Sequence, residues 1–338
     1  MLARKGGTSM AATSVLRSIH VGVGQRGVSH WRAYLQSSNW RIAALVDISQ
    51  EALDFARKEI GLPESSCFKS LEEALEKVEA DAVVISTPPA LHAPQVEVSL
   101  EAGRHVFVEK PFTYDLQKAV ELVEKAESRG LRIMVCQNDR LSAAATAMIE
   151  AVQSGRYGEL GFCVFDHFKA RRAPYHLTPH MHLWSQGVHQ IDTLMAVVGR
   201  EVEYAFGTSM NPVWCDWPSE STVFAQLVFE GGVIGQYFGT SNAQSSRSSL
   251  MMRAEFARGA IVFDERTKEF CFDGPDGKVD LPVRPSNAGA QLASMFYDYI
   301  VHGTEPPMSG RRNLKTLRVL DAIVRSTVTG ERIRLKGA

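Results

Sequence analysis

From Leu16 to about Arg140 the chain alternates short apolar runs with longer segments in which apolar residues recur three and four positions apart. The short runs SIHVGVG, RIAALVD, DAVVIST, HVFVEK and RIMVC predict strands. Their unbroken apolar character predicts burial on both faces, as in a parallel sheet. The intervening EALDFARKEIG, SLEEALEKVE, PQVEVSLEAG and LQKAVELVEKAESRG predict amphipathic helices, several closed by glycine. Strand and helix in strict alternation predict βαβ units.

After Leu141 the rhythm changes. AAATAMIEAVQSG predicts a helix; GFCVFDHFKA, STVFAQLVFE, GVIGQYFGTS, SLMMRAEFA and AIVFDE then follow as strands, with turn sequences such as EGG, ARG and DGPDG between several of them. Successive strands with short turns predict a largely antiparallel sheet. AQLASMFYDYIVHG and NLKTLRVLDAIVRSTVTG predict closing helices. The pattern therefore divides the chain into an extension over residues 1–14, a Rossmann-type α/β domain over 15–141 and a second α/β domain over 142–338.

Composition narrows the function. A chain of 338 residues is long enough for two domains, each with its own core. Its 37 basic and 38 acidic residues leave a formal charge of −1, so no global field favours nucleic acid or an anionic membrane. A small-molecule partner fits better. Cys67, Cys136, Cys163, Cys215 and Cys271 are scattered and form no CxxC pair, which points to reduced thiols in the cytoplasm. No apolar run reaches the roughly 20 residues of a membrane span. The opening MLARKGGTSMAATS lacks the apolar core of a secretory signal and reads as a flexible extension before a start at Met10, with a transit peptide as the alternative.

Three stretches carry chemistry. VGVGQRG sets Gly22, Gly24 and Gly27 in G-x-G-x-x-G spacing between a strand and a helix. There the glycines allow a tight turn, close approach to a pyrophosphate and close helix packing, with Gln25 and Arg26 opening the helix. Asp47, twenty residues after Gly27, ends the second strand. Its carboxylate suits an adenosine ribose and repels a 2'-phosphate, favouring NAD over NADP, although Arg26 and Arg41 could serve NADP. Thr87 and Pro88 form a rigid exit from the DAVVIST strand; His92 either touches the cofactor or begins the next helix. In HVFVEKPF, Glu109 and Lys110 leave a buried strand at the edge of the same crevice. An ammonium at that place stabilises a developing alkoxide, where most lysines would be solvated surface groups.

VGVGQRG, ALVD, STPPALH, VEKP, CQNDR and GVHQID, in this order and spacing, resemble the Gfo/Idh/MocA family, the glucose-fructose oxidoreductase and inositol dehydrogenase-like proteins. The resemblance covers nearly the whole chain after Met10. It implies a Rossmann domain followed by an α/β domain with a large open sheet used for assembly into a homodimer or homotetramer, and a closing helix returning toward the first domain. It also implies a nicotinamide cofactor and oxidation or reduction of a secondary alcohol on a sugar, sugar acid or cyclitol. By position Lys110 and His189 match the family's lysine and histidine, while Asn138 and Arg140 match a motif beside nicotinamide and substrate. Many sugar-oxidising relatives carry aspartate where this chain has Ser185.

On a regular helix Ser185, His189 and Asp192 share one face. His189 then serves as acid or base, Ser185 as a hydrogen-bonding partner of the substrate, and Asp192 orients the ring or holds a neighbouring strand. The preceding DHFKARRAPYHLTPHMHLW adds Lys169, Arg171 and Arg172, a cationic patch suited to a carboxylated or phosphorylated substrate or else a solvated strand face, with Tyr175 beside it as a further substrate-binding candidate. His176, His180 and His182 in the same run match no standard metal motif and no metal is expected, the alternative being zinc on His180 and His182 completed by His189 or Asp166. Trp214 and Trp217 suit packing better than sugar stacking. Two competing functions remain: tightly bound NAD driving elimination or glycoside cleavage by transient oxidation, and a non-catalytic NAD-binding regulatory oligomer.

Overall fold

The computed structural model of the chain describes residues 15–174 and 178–335. The extension over 1–14 and the candidates Tyr175 and His176 lie outside the described residues.

Six parallel strands, β1 (Leu16–Val21), β2 (Trp40–Val46), β3 (Cys67–Phe68), β4 (Ala82–Ile85), β5 (His105–Val108) and β6 (Ile133–Val135), stand in the order β3-β2-β1-β4-β5-β6. The two-residue β3 is too short to leave a hydrophobic pattern and was absent from the predicted set. Helices α1 (Gln25–Leu35), α2 (Gln50–Ile60), α3 (Leu71–Lys77), α4 (His92–Glu101) and α5 (Leu116–Ser128) supply the crossovers. Strand residues alternate between faces, so Ile19, Val83, Val106 and Val108 enter one core while Ala82, Val84 and Phe107 enter another. Both faces are dry, which is why these strands read as unbroken apolar runs.

After α6 (Ala143–Gln153) come β7 (Leu160–Phe168), α7 (Val188–Val198), β8 (Val202–Met210), β9 (Thr222–Phe229), β10 (Ile234–Thr240), β11 (Ser249–Phe256), β12 (Gly259–Asp264), β13 (Glu269–Gly274) and β14 (Gly277–Asp280). Helices α8 (Ala288–Val301) and α9 (Gly310–Thr329) and the short β15 (Ile333–Arg334) complete the chain. The nine-stranded sheet runs β14-β13-β12-β11-β7-β10-β9-β8-β15, and each neighbouring pair is antiparallel except β7 with β10. Inner positions such as Cys163, Phe165, Ala225 and Leu227 are buried under α7 and α9, whereas Phe162, Phe206 and Phe224 on the other face are exposed.

Helix α8 returns to the first sheet. Phe296 stacks on Trp40 with ring centroids 5.6 Å apart, and the Trp40 indole donates to the Ala293 carbonyl at 2.9 Å. Burying Phe296 and Tyr297 there contributes on the order of 2–3 kcal/mol each relative to exposure. The face of the Rossmann sheet that holds α1 is thus completed by a helix from the end of the chain.

Candidate active site

At the end of β1, Gly22 adopts φ +77°, and a Cβ on it would lie 2.8 Å from the Ser86 carbonyl group. A Cβ on Gly27 would lie 1.9 Å from the Gly22 oxygen, so α1 can begin this close to the strand only without a side chain. Gly24 differs: a Cβ there would meet nothing nearer than Ala52 at 3.8 Å. Its bare face opens on a cleft of about 620 Å³ that extends from Asp47 and Lys69 past Thr87 and Pro88 to Glu109 and Lys110. Gly24 is also the N-cap of α1 and supplies no side-chain acceptor, which leaves first-turn amides for an anion. These features fit a dinucleotide with its pyrophosphate at α1.

Asp47 closes the loop from below, accepting from the Val23 amide at 2.9 Å through one oxygen and from the Ser49 amide at 2.8 Å through the other. Lys69 lines the cleft with Asp47, and its ammonium donates to the Ile48 carbonyl at 3.2 Å. Arg26 instead leans over the inner end, 3.8 Å from Glu109, and Arg41 lines a separate cleft with Arg17 and Glu79. Lys69 is thus a further cation lining the cleft with Asp47, in addition to the two arginines that stand out in the sequence. His92 is fully buried with its ring nitrogens on the Pro111 and Thr87 carbonyls, at 2.8 and 2.9 Å. It ties two cleft loops together from behind.

Glu109 and Lys110 directly follow β5, and both are buried. His30 of α1 meets Glu109 at 2.7 Å. Burial opposes a charge on Glu109, yet the His30 hydrogen bond and the nearby Lys110 and Arg26 charges outweigh it and hold the carboxyl down at about 2. Cys136 completes a buried trio whose potential ligand atoms lie within 4.8 Å of one another. The trio is explained by its own hydrogen bonding and by the adjacent cations. Lys110 forms a cis peptide bond with Pro111, and its Nζ donates to the Ser185 backbone carbonyl at 2.8 Å. Burial lowers its pKa, with Glu109 acting in the opposite direction.

The segment that receives Lys110 is not regular α-helix. Leu183–Gly187 forms a π-helical turn leading into α7. The wider turn shifts the phase between residues 185 and 189 and leaves the Ser185 carbonyl for side chains, Lys110 and Gln186. The Ser185 hydroxyl contacts the Met181 sulfur at 3.4 Å. Gly187 faces Leu183 and Tyr237 rather than open space. His189 is 6% exposed, and burial lowers its pKa to about 4. Its Nδ1 has no hydrogen-bond partner and lies 3.9 Å from Asp139.

Asp139 sits between Asn138 and Arg140, the two positions the sequence reading selected, and was itself passed over. Asn138 donates to it at 3.1 Å and Gln190 at 3.0 Å. Arg140 is spent on Asp192, at 2.7 Å, and on the Pro307 carbonyl. Asp192 also accepts from Thr316 of α9 at 2.8 Å. This pair fastens α7 to its surroundings, so neither member reaches the cleft as a free group and Asp192 does not orient His189. His182 is buried with its nitrogens on Ser241 and the Tyr237 hydroxyl, at 2.8 and 2.7 Å, which accounts for it as core. The His180 amide donates to Glu220 at 2.6 Å. Arg172 is exposed on the loop after β7. Of the two tryptophans, Trp217 is buried and Trp214 exposed.

Residues 16–137 match the family described as "Oxidoreductase family, NAD-binding Rossmann fold", and residues 146–262 match its "GFO/IDH/MocA C-terminal domain". The chain belongs to the Gfo/Idh/MocA oxidoreductase family. Among curated relatives it is 26% identical to a 1,5-anhydro-D-fructose reductase from Ensifer adhaerens, over 78% of this chain and 82% of that one. A glycosyl hydrolase family 109 protein from Shewanella pealeana is 30% identical, but over only 41% of this chain and 32% of its own. In fold it is similar to an oxidoreductase from Agrobacterium radiobacter solved with NAD+, L-tartaric acid and magnesium. That likeness has a TM-score of 0.86 at 19% identity and covers 95% of this chain and 98% of that one. The first domain of this Gfo/Idh/MocA protein is thus an NAD-binding Rossmann fold, and the chain is an oxidoreductase. Among the described residues no helix is long and apolar enough to cross a membrane.

Proposed function

We propose that this protein is an NAD-dependent dehydrogenase acting on a secondary alcohol of a sugar, sugar acid or cyclitol. The observation that carries the reading is Lys110, which forms the inner end of the glycine-loop cleft and reaches across to the segment bearing His189. Gly22, Gly24, Gln25, Arg26, Gly27, Asp47, Thr87 and Pro88 hold NAD along the cleft, which supplies a hydride acceptor or donor. Lys110 donates a hydrogen bond to the substrate oxygen and stabilises its negative charge. His189, kept neutral by burial, takes up the hydroxyl proton. The Asp47 carboxylate makes NAD the preferred form. A panel of sugars, sugar acids and inositols followed at 340 nm, with NAD and NADP in parallel, tests this. The expected result is turnover that Lys110→Ala abolishes while NAD binding persists; unchanged turnover in that variant sinks the reading.

The partial match to a glycoside-cleaving relative supports a second outcome of the same assay, activity without added NAD and without net absorbance change. The dehydrogenase reading stands first because the reductase match covers most of both chains. The assembly reading rests on the outer sheet face, where Phe238 meets Phe168 at 5.5 Å and Phe224 at 6.3 Å. A second copy of the chain covers these rings, and light scattering reports its mass. The free cysteines fit a cytoplasmic enzyme.

A further inference from the structure

Three carboxylates approach the Lys110–His189 end of the cleft, and two are already engaged. Glu109 is joined to His30 at 2.7 Å and also accepts from the Lys110 amide. Asp192 is joined to Arg140 and Thr316. Their side chains are 7% and 4% exposed. Asp139 is different. Its side chain is 37% exposed, its only hydrogen-bond donors among the described residues are the neutral amides of Asn138 and Gln190, and its nearer oxygen stands 3.9 Å from His189 Nδ1. Gln190 follows His189 on α7, so the helix that carries the imidazole also steers the carboxylate toward it.

We propose that Asp139, on the loop after β6, is the counter-ion of His189 on α7. This deepens the dehydrogenase reading and rests on it. When the substrate O–H bond breaks, its proton bonds to the imidazole nitrogen facing away from Asp139, and the C–H electron pair leaves as hydride to NAD. The resulting imidazolium is a buried cation. Lys110 and Arg26 repel it, while Glu109 and Asp139 attract it, and His167, pushed down to about 3 by burial, stays neutral beside it. Glu109 is already shared with His30, so Asp139 is the carboxylate free to answer the new charge; its Oδ1 faces the Nδ1–H of the ring. Asp139 therefore acts through His189 and is a positioning residue for proton transfer.

The test is a titration of the full chain labelled with 13C-histidine, followed by NMR, with the His189 signal assigned by its loss in His189→Gln. In Asp139→Asn the His189 midpoint falls by at least about one pH unit, the scale for a charge at this separation. Ser185→Asp added to that variant raises it again. An unchanged midpoint in Asp139→Asn overturns the proposal; Asp139→Ser takes its place if the amide variant does not fold by circular dichroism. With a substrate from the panel, Asp139→Asn lowers kcat by at least about tenfold and moves the acidic limb of the pH profile, with NAD affinity unaltered. The titration needs no substrate. Failure of the dehydrogenase reading, seen as full turnover in Lys110→Ala, is therefore separable from failure of the Asp139–His189 coupling.

Discussion

The Lys110 ammonium is held by the backbone carbonyl of Ser185, 2.8 Å away, while the serine hydroxyl lies on the Met181 sulfur. The π-helical turn thus makes the main chain the partner of the lysine. Ser185→Ala keeps that carbonyl and is expected to lower kcat/KM by less than about tenfold, whereas Lys110→Ala lowers it by at least about a hundredfold. Equal losses in steady-state kinetics would show that the hydroxyl, not the carbonyl, matters.

The glycines of the loop separate structural from ligand-facing constraint. Gly27→Ala drives a Cβ into the Gly22 carbonyl, and overpacking of this kind costs about 1–3 kcal/mol. Its melting temperature should drop by several degrees. Gly24→Ala finds room within the protein, so its thermal stability should match the parent while NAD binding weakens by calorimetry. Parent-like NAD affinity in Gly24→Ala contradicts the placement of the cofactor beside α1.

Asp47 and Lys69 set cofactor choice together. Asp47→Ser removes the charge that repels a 2'-phosphate and leaves Lys69 beside the vacated place. The ratio of NADP to NAD affinity should rise, and Asp47→Ser with Lys69→Ala should lose most of that rise. Some stability is lost in both, because each Asp47 oxygen accepts a backbone amide.

Local patterns carried more of the molecule than long-range ones. The glycine spacing, the buried strands and the lysine after β5 are consequences of neighbours within a few residues, so they could be read directly. Asp139 could not, because its significance comes from α7, fifty residues later, folding back over the loop after β6. Arg140 and Asp192 stand out in the sequence as substrate-binding candidates, but a sequence does not show that they pair with one another. The face shared by Ser185 and His189 was predicted for a helix of constant pitch, and one π-helical turn removed that premise. Strand β8 escaped for another reason: EVEYAFGTSM mixes charged and apolar residues because one side of β8 packs on α9 and the other is open.

Buried histidines make acid stability a property of the same core. His20 and His167 are pushed down to about 3 and His189 to about 4, in each case chiefly because burial penalises the charged ring. Below the ordinary histidine value of about 6.5 the unfolded chain binds protons that the folded chain refuses, so stability is full above that pH and declines as pH falls toward 4. Each such ring contributes roughly 1 kcal/mol per pH unit to the decline. Glu109, depressed to about 2, adds to the loss only below the ordinary carboxyl range, whereas the raised pKa of Asp192 acts in the opposite direction. Between pH 6.5 and 5 the histidines therefore dominate. Urea unfolding should give a lower midpoint at pH 5 than at pH 7, and His167→Gln should reduce that difference because one fewer proton is taken up. Equal midpoints at the two pH values would mean that these rings are protonated, and solvated, in the folded protein.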